Sequence, residues 1–248
     1  MIVIKSAKEI ELMREAGQIV AETLLHISKM IKPGVTTGQL DNLAKNYIKK
    51  NNAKPAFLGY RGFPANICTS INHEVVHGIP GLRRLSEGDI ISIDVGVSYK
   101  GYFGDAACTF PVGEVSPLAR RLIDVTKDSL LRGIKNAVLG NRLYDISHSI
   151  QSFVEEHGFS VVRSFVGHGI GSAMHEEPQV PNYGRPGKGV LLEEGMVLAI
   201  EPMVNTGTWE VKTLADQWTV VTRDKGLSAH FEHTVAIMKN GPEILTTL

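Results

Sequence analysis

The chain of 248 residues is poor in cysteine, with Cys68 and Cys108 alone. Two isolated cysteines exclude a disulfide-stapled scaffold and a cysteine-rich zinc module, and they suit a reducing compartment. An excess of charge is also lacking: 26 Lys and Arg stand against 26 Asp and Glu, a formal net charge of zero with His neutral. That balance argues against a protein whose main task is to grip nucleic acid or an anionic membrane. No apolar run approaches the ~18 residues of a membrane-spanning helix. The opening Met1-Ile2-Val3-Ile4 turns charged at Lys5, too early for a signal peptide. Low-complexity segments and Ser/Gly linkers are absent as well. With 43% hydrophobic and 21% charged residues, the composition is that of a globular protein. The expectation is a cytoplasmic protein with no membrane partner and no nucleic-acid specificity.

What is present is organised. Ser6 and Glu9 form a capping box, and Ile10, Met13, Gly17, Val20, Leu24 and Ile27 follow at helical spacing. Thr36 and Gln39 repeat the signal ahead of Leu40, Leu43, Ala44, Tyr47 and Ile48. Strands follow at Ile90–Val97 and from Tyr102 to Phe110, with residues 98–101 as the turn. The pattern then restarts. Ser116 caps a helix with Pro117 at its first position, a second helix is closed by Gly158, and strands return at 161–166, 196–204 and 230–238. Ser6 and Ser116 stand 110 positions apart, and Asp94 and Glu201 stand 107 apart. Val76-His77-Gly78-Ile79 also resembles Gly167-His168-Gly169-Ile170. The spacing suggests an internal duplication, with halves of roughly 1–115 and 116–248 that share one sheet.

Several residues carry chemistry. If the hairpin turns at 98–101, Asp94 faces Asp105 directly, with Cβ atoms ~4.5–5.5 Å apart on one face. Two carboxylates so placed repel unless a cation lies between them, and a dinuclear metal centre with ions ~3.5–4 Å apart suits them. An exposed sheet face with acids in water is the alternative, and it fits poorly with a run otherwise apolar or small. Glu201 sits in Met196-Val197-Leu198-Ala199-Ile200-Glu201-Pro202. An acid in so apolar a strand is neutralised by a cation or shifts its pKa. Pro202 places a strand edge or bulge there. Glu232 alone carries less weight. His168, between Gly167 and Gly169, becomes a candidate nitrogen ligand beside these acids, with His77 and His175 as further candidates.

These residues carry a resemblance. Asn72-His73-Glu74-Val75-Val76-His77-Gly78-Ile79-Pro80, Asp94-Val95-Gly96, Gly104-Asp105, Gly167-His168-Gly169-Ile170-Gly171, His175-Glu176-Glu177-Pro178, Glu201-Pro202 and Phe231-Glu232-His233-Thr234 resemble, in order, the motifs of the type I methionine aminopeptidases in their bacterial form. The resemblance spans nearly the whole chain. It implies the α+β pita-bread fold: one pseudo-two-fold domain, a central, mostly antiparallel sheet and two pairs of helices on its outer face. It implies Asp94, Asp105, His168, Glu201 and Glu232 as ligands of two divalent ions, with Asp105 and Glu232 bridging. Cobalt, manganese, iron and zinc all suit such a donor set. It implies hydrolysis, by water activated between the ions, of the bond after an initiator methionine when the second residue is small. Glu201 would relay a proton, and His77 and His175 would hydrogen-bond the scissile amide and the developing oxyanion. Tyr60, Phe63, Cys68 and Trp218 would hold the first side chain together with His77 and His175, and Met174 and Phe57 would lie at the rim. Met174 and Phe57 depart from the aromatic and small residues common at these places. The implied substrate is a nascent polypeptide, with a transient ribosome contact for which Lys212, Arg223 and Lys225 are candidates, and the protein would act as a monomer. The rival readings are an Xaa-Pro peptidase of the same fold and a non-catalytic binding protein of that fold. The first usually carries an extra N-terminal domain, for which the chain leaves no room. The second would have lost ligands.

Overall fold

The computed structural model describes residues 1–247. Two helices open the chain, α1 (Ala7–Ser28) and α2 (Thr37–Lys50), and both start on the capping boxes read from the sequence. A second pair follows, α3 (Pro117–Lys135), capped by Ser116, and α4 (Leu143–Glu156). Gly158, at φ +75, ends α4 in the left-handed conformation that glycine adopts without strain. Between the pairs run β1 (Lys54–Pro55), β2 (Cys68–Ile71), β3 (Glu74–Val76), β4 (Ile90–Tyr99) and β5 (Tyr102–Pro111). After α4 come β6 (Ser160–Val161), β7 (Gly167–Gly169), β8 (Glu176–Val180), β9 (Val197–Ile200), β10 (Met203–Asn205), β11 (Val211–Thr213), β12 (Val220–Thr222), β13 (Ser228–His230), β14 (His233–Met238) and β15 (Gly241–Ile244). The ladders are antiparallel and fall into four hydrogen-bonded sheets.

Alternation along the strands decides which side is helix and which side is site. Ile91, Ile93, Val95 and Val97 of β4 pack against Val20, Ile27, Leu40 and Ile48 of α1 and α2. In the second half, Leu198 and Ile200 of β9 and Val235 and Ile237 of β14 pack against Leu122, Leu130, Ile146 and Ile150 of α3 and α4. Each such side chain gains ~1.5–3 kcal/mol on burial, which holds the helices more firmly than their propensities do. Asp94 lies in β4 between two of these inward residues, so it points to the opposite side. The halves are knit by paired bonds. The Asp105 amide donates to Thr234 Oγ1 at 3.0 Å, Thr234 Oγ1 donates to the Asp105 carbonyl at 2.8 Å, and the Glu232 amide donates to the Ala107 carbonyl at 2.9 Å. The α+β layering, with a helix pair over each half, agrees with the pita-bread expectation.

Two details differ from the sequence reading. The β4–β5 turn is the two residues Lys100 and Gly101, at φ +48 and +86, and Tyr99 pairs with Tyr102. Both residues are left-handed, so the turn's twist matches that of the strands. Asp105 therefore faces Gly96, and Asp94 faces Ala107. A slip of two residues preserves the face, but the acids become diagonal neighbours rather than a direct pair. The second difference is that the runs 196–204 and 230–238 are interrupted. Ile200 pairs with His233 and Met203 with His230, so the gaps Glu201-Pro202 and Phe231-Glu232 lie opposite each other. Pro202 has no N–H to give a ladder, and both glutamates turn out of the strands at this gap.

Close approach of α1 to the chain's end tests this packing. A Cβ on Gly17 would overlap the Leu245 carbonyl. Gly17→Ala should therefore destabilise by about 1–3 kcal/mol, although alanine is the better helix former by ~1 kcal/mol. Urea unfolding measures it, and a neutral or stabilising result would show that the backbones are not in contact.

Candidate active site

Asp94, Asp105, His168, Glu201 and Glu232 line one pocket with His77, His175, Phe57, Tyr60, Arg61, Phe63, Cys68 and Trp218. The structure thus brings the expected ligands, histidines and slot residues together in one pocket, whereas Met174, expected at the rim, is buried behind it and is not part of the lining. Asp94 and Asp105 come from the hairpin, Glu201 and Glu232 from the two opposed gaps, and His168 from β7. The Asn182 side-chain Nδ2 donates to the Glu201 carbonyl at 3.0 Å and fixes the backbone at that gap. His168 Nδ1 lies 2.9 Å from the Gly169 carbonyl. Bonding there places the proton on Nδ1 and leaves the Nε2 lone pair free. That nitrogen stands 3.6 Å from Glu201 Oε1 and 4.0 Å from Asp105 Oδ2. Ligating atoms of Asp105, His168 and Glu232 lie within 4.8 Å of one another.

The donor set fits divalent ions on an observation independent of any family. Asp94 Oδ1, Asp105 Oδ1 and Glu232 Oε1 are buried without a hydrogen-bond partner among the described residues. Asp105 and Glu232 are 4% and 2% exposed. Burial, and then repulsion among the neighbouring acids, pushes the Asp105 and Glu232 carboxyls well above the carboxylate range. Burial also pushes Asp94 up to about 7 and Glu201 up to about 8. Burial acts oppositely on imidazoles, holding His168 down at about 3 and His77 at about 4. Both are neutral at physiological pH, which leaves His168 Nε2 able to act as a metal ligand.

An apolar slot stands over these acids. Phe57, Phe63, Cys68 and Met174 are buried together, with Tyr60 and Trp218 partly buried beside them. Trp218 meets Phe63 edge-on at 5.1 Å and His77 at 6.2 Å. Its place is set by Asp216, whose carboxylate accepts from the amides of Trp218 and Thr219 and from the Thr219 hydroxyl. Burial and the adjacent acids raise the Cys68 thiol, so it is an uncharged wall. Tyr60 stacks on His175 at 5.2 Å, and His175 lies 4.1 Å from His168. Phe57 and Met174 both pack over Gly96, where any Cβ would collide with the Phe57 ring at 2.6 Å.

Two residues were missed in the sequence. Arg61 lines the mouth of the pocket. His230 is 2% exposed, and its unpartnered Nε2 stands 3.6 Å from Glu201 Oε2. Glu201 therefore has one imidazole near each oxygen. The one signal was its place two positions before Glu232, and the strand that carries it ends at His230.

Comparison with known proteins follows the geometry. The profile of metallopeptidase family M24 matches residues 11–239. A methionine aminopeptidase of Clostridium acetobutylicum is 63% identical over 99% of this chain and 99% of its own length. The crystal structure of a methionine aminopeptidase from Thermotoga maritima superposes with a TM-score of 0.99 at 50% identity, covering both chains fully. A prolidase from Pyrococcus furiosus superposes at 0.80 with 25% identity, and the match covers 99% of this chain but 66% of the prolidase.

The raised carboxyls give a pH test. An acid whose folded pKa is raised contributes stability that is full below its unfolded pKa near 4 and lost as pH rises through the folded value. Here the loss runs to about 7 for Asp94 and about 8 for Glu201. An ion must displace those protons, whereas His168 is neutral throughout this range. The gain in Tm on adding Mn or Co to stripped protein should therefore grow from pH 5.5 to pH 8. A gain independent of pH would mean that these carboxyls do not hold the ion.

Proposed function

We propose, because the chain belongs to metallopeptidase family M24, that it removes the N-terminal methionine of nascent proteins whose second residue is small. The observation that carries this reading is the convergence of four acids, Asp105 and Glu232 buried and Asp94 and Glu201 partly buried, with His168 beneath an apolar slot. Asp94, Asp105, His168, Glu201 and Glu232 would hold two divalent ions, drawn from Co, Mn, Fe or Zn. Ions at this place supply Lewis-acid charge for the scissile carbonyl and lower the pKa of water.

The chain's own groups do the rest. Tyr60, Phe63, Cys68 and Trp218 take the methionine side chain, and an unbranched, flexible thioether suits so narrow a slot. Glu201 would accept the proton lost by the attacking water and give it to the departing amine nitrogen. His77 and His175, both shifted toward the neutral form by burial, donate to the scissile amide and to the oxygen on which charge develops. Their rings enclose the bond, which is why a bulky second residue would not fit. His230 would hold the second oxygen of Glu201. On this reading the two pseudo-symmetric halves form one domain that acts as a monomer in the cytoplasm. Lys212, Arg223 and Lys225, exposed around the β11–β12 hairpin, would face a ribosome. The complete ligand set speaks against a non-catalytic binder. The 63% identity to a methionine aminopeptidase, against 25% to a prolidase, speaks against an Xaa-Pro peptidase.

The test is a peptide series on stripped protein reloaded with Mn, Fe, Co or Zn. Met-Gly, Met-Ala and Met-Ser peptides should be cut, with Met-Lys, Met-Phe and Xaa-Pro peptides nearly inert. Equal rates across the series would overturn the reading. Calorimetric titration gives the second check. His230→Ala should weaken divalent-ion binding by about 10–100-fold, as expected when a partner of a ligating carboxylate is lost. Unchanged affinity would remove His230 from the centre.

A further inference from the structure

We propose that Lys5 and Glu176 form a buried clamp that positions His175, so that the segment ahead of α1 governs catalysis from outside the pocket. The proposal rests on the catalytic role given to His175 above.

Lys5 Nζ donates to Glu176 Oε2 at 2.6 Å across 171 positions of sequence. The two side chains are 2% and 8% exposed. This differs from the surface pairs of the molecule, such as Lys100 with Glu15 at 51% and 38%. Exposed pairs contribute little, whereas a buried charge is held only where its partner is fixed. Both partners are fixed here. Lys5 Nζ also donates to the Val3 carbonyl at 2.9 Å, and the Lys5 amide donates to the Gly195 carbonyl at 2.8 Å. A Cβ on Gly195 would come within 2.6 Å of the Lys5 carbonyl oxygen, so the strap lies directly on that turn.

The other oxygen of Glu176 does the positioning. Glu176 Oε1 accepts from the Ala173 amide at 3.1 Å. The Gly171 amide donates to the Ala173 carbonyl at 3.1 Å, and the Gly171 carbonyl accepts from the Phe103 amide at 2.9 Å. The loop between β7 and β8 is thus closed on itself and pinned to β5. Gly171 is required by the clamp itself, because a Cβ there would press on Lys5 Cε and the Glu176 carboxylate. His175 immediately precedes Glu176, and its ring is what this loop delivers between Tyr60 and His168. Glu176 is therefore the acceptor that shapes the loop. Lys5 is the counter-charge that keeps the carboxylate buried in place. Neither touches the substrate, so both are positioning residues.

Three variants separate positioning from mere stability, assayed as kcat and KM on a Met-Gly peptide with Tm and ion content measured alongside. Lys5→Met leaves the Glu176 carboxylate buried without its counter-charge. Its Tm should fall and its kcat should drop by about 10- to 100-fold, the scale of a misplaced catalytic group, while KM changes less and ion content stays at the wild-type level. Lys5→Met with Glu176→Gln removes both charges and keeps an acceptor for the Ala173 amide, and both Tm and kcat should recover. Lys5→Met with Glu176→Met removes the acceptor as well, so Tm should recover while kcat remains low. Recovery of kcat in that last variant, or an unchanged kcat in Lys5→Met, would overturn the proposal. If the single variant does not fold, the two double variants still decide. A wild-type protein that takes up ions but cuts no Met-Gly peptide would instead sink the functional reading on which the proposal rests.

Discussion

Negative charge without an internal counter-charge governs this molecule. Asp94, Asp105, Glu201 and Glu232 share one pocket, and among the described residues none of them pairs with a lysine or arginine. Arg61 is the cationic side chain in the lining, and it acts on His175 at the mouth. The backbone holds the acids in place by bonds of ordinary strength, from Asp105 to Thr234 and from Glu232 to Ala107. Each such bond contributes ~1 kcal/mol net, whereas burying one unpaired ion costs several. A few bonds cannot offset several buried anions. The fold must therefore draw charge from outside, as protons that these raised carboxyls keep up to neutrality, or as divalent ions that displace those protons.

The doubled architecture explains how one chain gathers so many acids. Each half buries its own apolar cluster beneath its own helix pair, which frees the opposite side of the strands for polar residues. In the first half an unbroken hairpin presents two acids diagonally. In the second half two opposed strands break at the same level and release one glutamate each. His77-Gly78 and His168-Gly169 repeat the same local device. A Cβ on Gly78 would overlap the Thr69 carbonyl, and one on Gly169 would overlap the Glu177 carbonyl. The two histidines then take different places, His168 beside the acids and His77 beside Trp218.

Features set by local chemistry were legible in the sequence, whereas those set by backbone geometry were less so. The capping boxes at Ser6 and Thr36 and the proline start of α3 depend on neighbours within four residues, and all formed. Asp94 and Glu201 were legible because an acid in an apolar strand needs a special reason, whereas Glu232 and the full set of five stood out only through the family resemblance. The register of Asp94 against Asp105 was not legible, because it hung on whether Lys100 adopts φ +48. Lysine rarely takes that conformation, so the turn was read two residues too wide. His230 escaped for a related reason. The break at Phe231-Glu232 ends the strand alternation, and the proximity of His230 to Glu201 arises from pairing with Met203 across the gap. The Lys5–Glu176 pair spans most of the chain, and nothing in either neighbourhood announces it.

On the proposed roles of these residues, selection of the first residue and hydrolysis of its bond are not separable tasks. Cys68, a wall of the slot, pairs in register with Asp94 on the adjacent strand. Phe57 and Met174 close over Gly96, which faces Asp105. Tyr60 rests on His175, which rests on His168. A side chain that fills the slot poorly therefore leaves loose the same groups that orient the scissile bond. Its penalty falls on the transition state as well as on binding, because interactions that tighten only when the bond is aligned raise kcat rather than lower KM. The same coupling extends outward through the loop carrying Met174 and His175. On the proposed reading that single segment supplies one contact to the slot and one donor to the reaction, so whatever fixes the loop would tune specificity and rate together.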